Sequence, residues 1–248
     1  MHNPLRWIAI LAVMLLAISA CTNGGSSPSA SVGGSTGEDP TAVCDADEFG
    51  CVEVADGDNI VVASALTISG DTAFLGNDSN FGIDVAMEDR PDIADHTAEL
   101  LKVDAGCGEA VTGQTAATQI VGDPSVVAVI GTSCSRTAVP AMPVLAEAGY
   151  TMISPSNTAP SLTDPESADF GGQFYARTAY NDKVQGAAVA KFACEELQVT
   201  TAATIHDGSP YAQQLQQVFA DEFAAQCDGT VTAQEAINVG DTDMHPVL

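Results

Sequence analysis

Short apolar runs alternate with stretches whose apolar residues recur every three or four positions, beginning at Asn59 and continuing toward the end of the chain. Asn59 to Leu66 reads as the first strand, and the loop SGDTAFLGND follows it. The spacing of Phe81, Val85 and Met87 predicts a helix over Asn80 to Asp89 with those side chains inward. A second strand is predicted over Glu99 to Val103. A second helix follows over Glu109 to Val121, with Ala117, Ile120 and Val121 on one face. Val126 to Ile130 is a third strand, a continuous apolar run with β-branched residues that suits burial on both faces of a parallel sheet, stopped by Gly131, and Ala138, Met142 and Leu145 give the next helix its inner face. Tyr150 to Ile153 is a fourth strand, and FYART, Phe174 to Thr178, a fifth. Asn181 and Asp182 then read as a helix start before Val184, Ala188 and Phe192. Thr200 to Ile205 is another strand. The helix after it carries Pro210 at its first position, where proline costs no hydrogen bond, and buries Leu215, Val218, Phe219 and Phe223. Thr230 to Asn238 is the last strand. Strands alternating with helices in this way predict an α/β fold built on a doubly wound parallel sheet.

The first 20 residues break the pattern. Arg6, an apolar stretch from Trp7 to Ile18, and the small residues Ser19 and Ala20 before Cys21 read as an export signal, since the stretch is too short to span a bilayer. The segment resembles a bacterial lipoprotein signal, with Ile18 in place of the usual leucine. That resemblance implies a lipid on Cys21 and a location on the outer face of the cell membrane or in the periplasm. An ordinary secretory signal with an incidental cysteine is the alternative. Thr22 to Thr41 is rich in Gly, Ser, Pro and Thr and reads as a flexible tether. Residues 21–57 thus form an anchor, a tether and a small disulfide turn.

The chain has 33 acidic and 7 basic residues, a formal net charge of −26. Nucleic acid is excluded as a partner, because binding there rests on Lys and Arg. Seven cysteines less Cys21 leave six, an even number in an exported chain, which points to disulfides. The layout of elements favours Cys107 with Cys134, both following strands at one sheet edge, and Cys194 with Cys227, near the ends of successive helices. Cys44 and Cys51 flank the turn DADEFG and have each other nearby. Neither a CxxC nor paired His accompanies them, so no metal site and no cofactor is expected.

Two loops carry the candidate chemistry. Thr132, Ser133, Cys134 and Ser135 place hydroxyls and amides at a positive helix end, a seat for a carboxylate, and Ser154 to Thr158 form a second polar mouth at the next strand end. Ligands in open α/β sheets bind at such carboxyl ends. Ser/Thr-rich loops also serve as plain helix caps, which is the bland reading of either loop alone.

The stretch VIGTSCS, the MISPSNT strand end, Arg177-Thr178 followed by Asp182, Gln185 and Gly186, and the segment HDGSPYA resemble the branched-chain amino acid binding proteins. These are the leucine/isoleucine/valine group of type I periplasmic binding proteins, which serve ABC importers. The resemblance implies two lobes, 58–178 and an incomplete second lobe over 179–248 that counts FYART among its three strands. It implies a small-molecule ligand, an amino acid or related amide, delivered to an ABC permease by a monomer. A sensor domain of the same fold, signalling without transport, is the alternative. Ser135 and Thr158 would hold the ligand carboxylate and the Ser156 carbonyl its ammonium. Tyr211 would act as a lid, and Leu75 stands where relatives place a covering aromatic. Ala212 departs from the family's usual glycine.

No enzyme is expected. GTSCS carries Ser135 where a nucleophile elbow needs its last glycine, and a Cys107–Cys134 bridge removes the thiol that His206 would have to activate. Neither a Walker A loop nor GxGxxG is present.

Overall fold

The first strand of the alternation and the apolar run at Val126 lie side by side in the middle of a six-stranded sheet. The computed structural model describes residues 40–247, so the export segment, Cys21 and the tether up to Asp39 lie outside the described residues. The chain divides into two compact units, Met1–Ala46 and Asp47–Leu248. The described part of the first is helix α1, Pro40–Ala46, so Pro40 and Thr41, read from sequence as the end of a flexible tether, belong to a helix.

In the second unit the sheet order is β2 (Asp92–Ile93), β3 (His96–Asp104), β1 (Ile60–Leu66), β4 (Val126–Gly131), β5 (Met152–Ser154) and β6 (Tyr175–Arg177). All pairings are parallel except the short edge strand β2. FYART therefore belongs to the first sheet, with Met152 opposite Tyr175, and not to the second lobe. The second sheet has two described strands, β7 (Thr201–His206) and β8 (Thr230–Ala236), again parallel.

Helices α3 (Ala110–Val121) and α4 (Ser135–Glu147) cover one face of the first sheet. Ala63, Ala65, Val129 and Met152 meet Ala116, Ile120, Ala138 and Leu145 there in a continuous buried core. Each large aliphatic side chain so buried contributes about 1.5–3 kcal/mol. Helix α2 (Ala73–Asp89) lies on the other face.

Two helices turn a different face inward than their apolar spacing predicts. Helix α2 starts at Ala73, inside the stretch read as a loop, and buries Gly76 and Asn80. Phe81 and Val85 are 65% and 58% exposed. The phase is set by a close approach and a polar pair: a Cβ on Gly76 would sit 1.9 Å from the Thr67 carbonyl oxygen. The buried Ser64 hydroxyl donates to Asn80 Oδ1 at 2.8 Å. Helix α5 (Asp182–Glu195) likewise buries Gly186, Ala190 and Ala193 and leaves Val184 and Phe192 exposed. It lies so close to α6 (Pro210–Cys227) that a Cβ on Gly186 would meet Val218 Cγ1 at 2.5 Å.

Phe223 is fully buried in the small core between these helices and stacks on Phe219 at 5.3 Å. Asn181 caps α5 by accepting from the Lys183 amide. Ser209 caps α6 by accepting from the Ala212 amide, with Pro210 at the first helical position. Cys107 is bonded to Cys134 and Cys194 to Cys227, with Cα separations of 5.4 and 5.8 Å. Cys44 and Cys51 are disulfide-bonded as well. An open apolar groove of about 570 Å³ runs along the α2 face of the first sheet, lined by Val62, Ile83, Met87, Ile130 and Pro155 among others. No helix among the described residues is long and apolar enough to cross a membrane.

Candidate functional site

The strand order creates a topological switch between β1 and β4. The chain leaves β1 through α2 toward β3 and leaves β4 through α4 toward β5, so the connections diverge and open a crevice at their carboxyl ends. Three loops border it: 67–72 after β1, 131–134 after β4, and 155–159 after β5. Gly131 is required where β4 ends, because a Cβ there would lie 2.5 Å from the Ala65 carbonyl oxygen.

Hydrogen bonds tie the three loops into one clamp. The Thr67 amide donates to Ser133 Oγ at 3.0 Å, joining the first loop to the second. The Ser156 hydroxyl donates to the Ser133 carbonyl at 2.9 Å, and the Ser154 hydroxyl to the Thr132 carbonyl at 2.8 Å, joining the second to the third. The Ala159 amide donates to Ser135 Oγ at 3.2 Å. Ser135 is the first residue of α4 and is buried, so its hydroxyl sits at the positive end of that helix. Ser156 and Thr158 are half-buried. The structure thus brings Ser135, Ser156 and Thr158 onto two touching loops. Leu75, in the first turn of α2, is 37% exposed, and Tyr211, in the first turn of α6, is 39% exposed.

The clamp rests on further polar residues, of which Asn157 belongs to the second polar mouth and Arg177 to the family motif, while Asp104 and Tyr175 carry no sequence signal for a site. Asn157 is fully buried; its amide donates to Ser154 Oγ at 2.8 Å, and the Tyr175 hydroxyl donates to its Oδ1 at 3.2 Å. Burial pushes the Tyr175 pKa up to about 12, against the opposing pull of the Arg177 charge and Ser154, so the phenol stays a donor. Arg177 donates from one nitrogen to the Ala159 carbonyl at 2.8 Å and from another to the Thr163 hydroxyl. Asp104 reaches from the end of β3 to the first loop, accepting from the Ile68 amide at 3.1 Å and from the Ser69 hydroxyl. Burial raises its pKa, but these donors and the Gly106 amide outweigh that and hold it below the usual carboxylate range.

The Cys107–Cys134 bridge fastens the residue before α4 to the loop after β3, and Cys134 has no free thiol. His206 Nδ1 accepts from the Gly208 amide at 2.9 Å. Among the described residues no group of three or more His, Cys, Asp or Glu is placed to hold a metal ion. The arrangement offers hydroxyls, amides and a helix end to an anionic group in a crevice. It offers no activated nucleophile.

A family model described as periplasmic binding protein matches residues 59–248. The Leu/Ile/Val-binding protein of Escherichia coli (strain K12) is 28% identical over 194 residues, 77% of this chain and 51% of that protein. A crystal structure of a leucine-binding protein from Thermotoga maritima superposes with a TM-score of 0.68 at 26% identity, covering 75% of this chain and 51% of that one. The branched-chain amino acid transporter substrate-binding protein of Streptococcus pneumoniae, solved in complex with isoleucine, superposes with a TM-score of 0.65 at 24% identity, covering 76% and 52%. The chain spans about half the length of the curated relatives it matches. A clamp of hydroxyl-rich loops at a sheet switch point and a family match over most of the chain lead to one assignment: the chain belongs to the periplasmic binding protein family.

Proposed function

We propose that the protein captures an amino acid, branched-chain or similar, outside the cell and presents it to an ABC permease. The observation that carries this reading is the clamp: Ser135 and the 155–159 loop meet at the positive end of α4, where a ligand α-carboxylate finds hydroxyl and amide donors. In this reading Ser135 and Thr158 hold the carboxylate and the Ser156 carbonyl takes the ammonium. Tyr211 and Leu75 shape the side-chain end of the pocket. The exposed leucine at position 75 leaves room beside the ligand where an aromatic would fill it.

Calorimetric titration of the complete gene product with L-leucine, L-isoleucine, L-valine and small amides tests the reading. Ser135→Ala and Thr158→Ala are each expected to weaken the best ligand by about 1–2 kcal/mol, roughly five- to thirty-fold. A double variant that binds as tightly as the parent would place the site elsewhere.

The sequence around Cys21 supports a lipid anchor, with the polar stretch after it as the tether to a membrane-embedded permease. Cys21→Ser is expected to move the protein into the soluble fraction. Retention on membranes after a high-salt wash would refute the anchor.

A further inference from the structure

Two polar links cross from the first lobe to the second, and they bracket the clamp on one side and Tyr211 on the other. Gln214 and Ser161 make a reciprocal pair: the Ser161 amide donates to Gln214 Oε1 at 2.8 Å, and Gln214 Nε2 donates to the Ser161 hydroxyl at 2.7 Å. The Arg136 guanidinium donates to the Asp207 carbonyl at 3.2 Å. The turn that presents this carbonyl is ordered, because Asp207 Oδ1 accepts from both the Ser209 amide and the Ser209 hydroxyl.

The places where these links attach matter. On the first lobe, Arg136 follows Ser135 directly, and Ser161 comes two residues after Ala159, whose amide donates to Ser135. On the second lobe, Asp207 lies four residues before Tyr211 and Gln214 three residues after it, one helical turn on. Two fixed points on each body leave rotation only about the line that joins them. Arg136 also stands in the first turn of α4, where the helix end disfavours a cation. The acceptor carbonyl and the nearby Asp207 carboxylate offset that cost.

We infer that Gln214 and Arg136 are positioning residues that set the second lobe over the clamp, and with it Tyr211, before a solute arrives. The links stand on geometry alone, and their effect on binding rests on the clamp being the solute site. Fixing the lobes in advance removes part of the ordering that ligand would otherwise have to impose, so the links act mainly on residence time.

Amide hydrogen exchange followed by NMR, without ligand, tests the links. In Gln214→Ala the Ser161 amide loses its acceptor and should exchange about ten-fold faster, with amides of β1 and β4 unchanged. Gln214→Glu keeps the acceptor for the Ser161 amide, replaces the donor to the Ser161 hydroxyl by an oxygen to which that hydroxyl can itself donate, and should restore most of the protection, which separates the hydrogen bond from side-chain packing. Unchanged Ser161 exchange in Gln214→Ala overturns the inference outright. Stopped-flow binding of L-leucine to the complete gene product tests the positioning role. Gln214→Ala and Arg136→Gln should each raise the dissociation rate roughly five- to ten-fold while association stays within about two-fold. Faster exchange with an unchanged dissociation rate would reject that role. If the parent protein binds none of L-leucine, L-isoleucine and L-valine, the branched-chain reading fails and the exchange result still decides the links; if it binds another of these in place of L-leucine, that one is used in the stopped-flow test.

Discussion

Asp182 has no solvent-exposed surface, and neither of its carboxylate oxygens has a partner of good hydrogen-bond geometry among the described residues. Burial pushes its pKa up, and the Thr158 hydroxyl and the Arg177 charge pull it down by less. Only its backbone is well engaged, the amide donating to the Thr158 carbonyl at 2.9 Å. Because the folded pKa lies above the unfolded one, the folded state holds its proton more tightly. Stability linked to Asp182 is then full below the unfolded value and is lost as pH rises through the folded value. Asp182→Asn keeps the shape and removes the charge. The variant should melt at a higher temperature than the parent at neutral pH, and the gap should narrow as pH falls through the raised folded value and be gone below about 3.9, the ordinary aspartate value. A variant less stable than the parent at neutral pH, with a deficit that closes as pH falls, would mean that the carboxylate is needed in its charged form opposite Arg177.

At the scale of elements, the strands, the clamp loops and the inner faces of α3 and α4 are legible in the sequence, and the inner faces of α2 and α5 are not. β1 and β4 stand out as short apolar runs, but β4, expected to be buried on both faces, leaves Val127 36% exposed and Ile130 on the open groove along α2, whereas β1 is buried along nearly its whole length. Hydroxyls gathered directly after such runs mark strand ends, which is why Ser135, Ser156 and Thr158 can be picked out from spacing and family motifs together. The Cys107–Cys134 and Cys194–Cys227 bridges follow once the elements are in order, because each pair lies at matching ends of neighbouring elements. Helices α2 and α5 defeat the same reasoning. An apolar stripe locates the inner face only when the largest side chains fill the space beneath, whereas here the backbones approach closely and glycine fits where phenylalanine does not. Arg136 and Gln214 escape notice, and Asn157 is legible only as part of the second polar mouth and not as its buried support, for another reason. Their partners lie 71, 53 and 25 positions away in sequence, and no local pattern records a contact of that range. FYART is legible as a strand but not as the sixth strand of the first sheet, since pairing partners are a property of topology.

At the scale of the whole molecule, charge is the dominant feature that packing leaves unbalanced. The formal net charge is −26. The described residues contain two ion pairs, Lys102 with Asp84 and Lys191 with Glu195, whose side chains are all more than 40% exposed. Exposed pairs of this kind contribute roughly 0–1 kcal/mol, so they do little against the mutual repulsion of the carboxylates. Repulsion between surface charges weakens with ionic strength: the Debye length falls from about 30 Å at 0.01 M to about 10 Å at 0.1 M and about 3 Å at 1 M. The melting temperature at pH 7 should therefore rise with sodium chloride, and most of the rise should come below about 0.2 M, where screening changes most. Exclusion of salt from the protein surface would instead add a gain roughly proportional to concentration, continuing into the molar range. Lys102→Met, which removes one of the few cations, should lower the melting temperature in 0.01 M salt and converge on the parent as salt is added. Calorimetric melts over a salt series check both curves. A melting temperature that is flat or falling below 0.2 M would show that the favourable charge contacts outweigh the repulsion, and that the acidic surface is organised into pairs far stronger than the two that connect α2 to β3 and span one turn of α5.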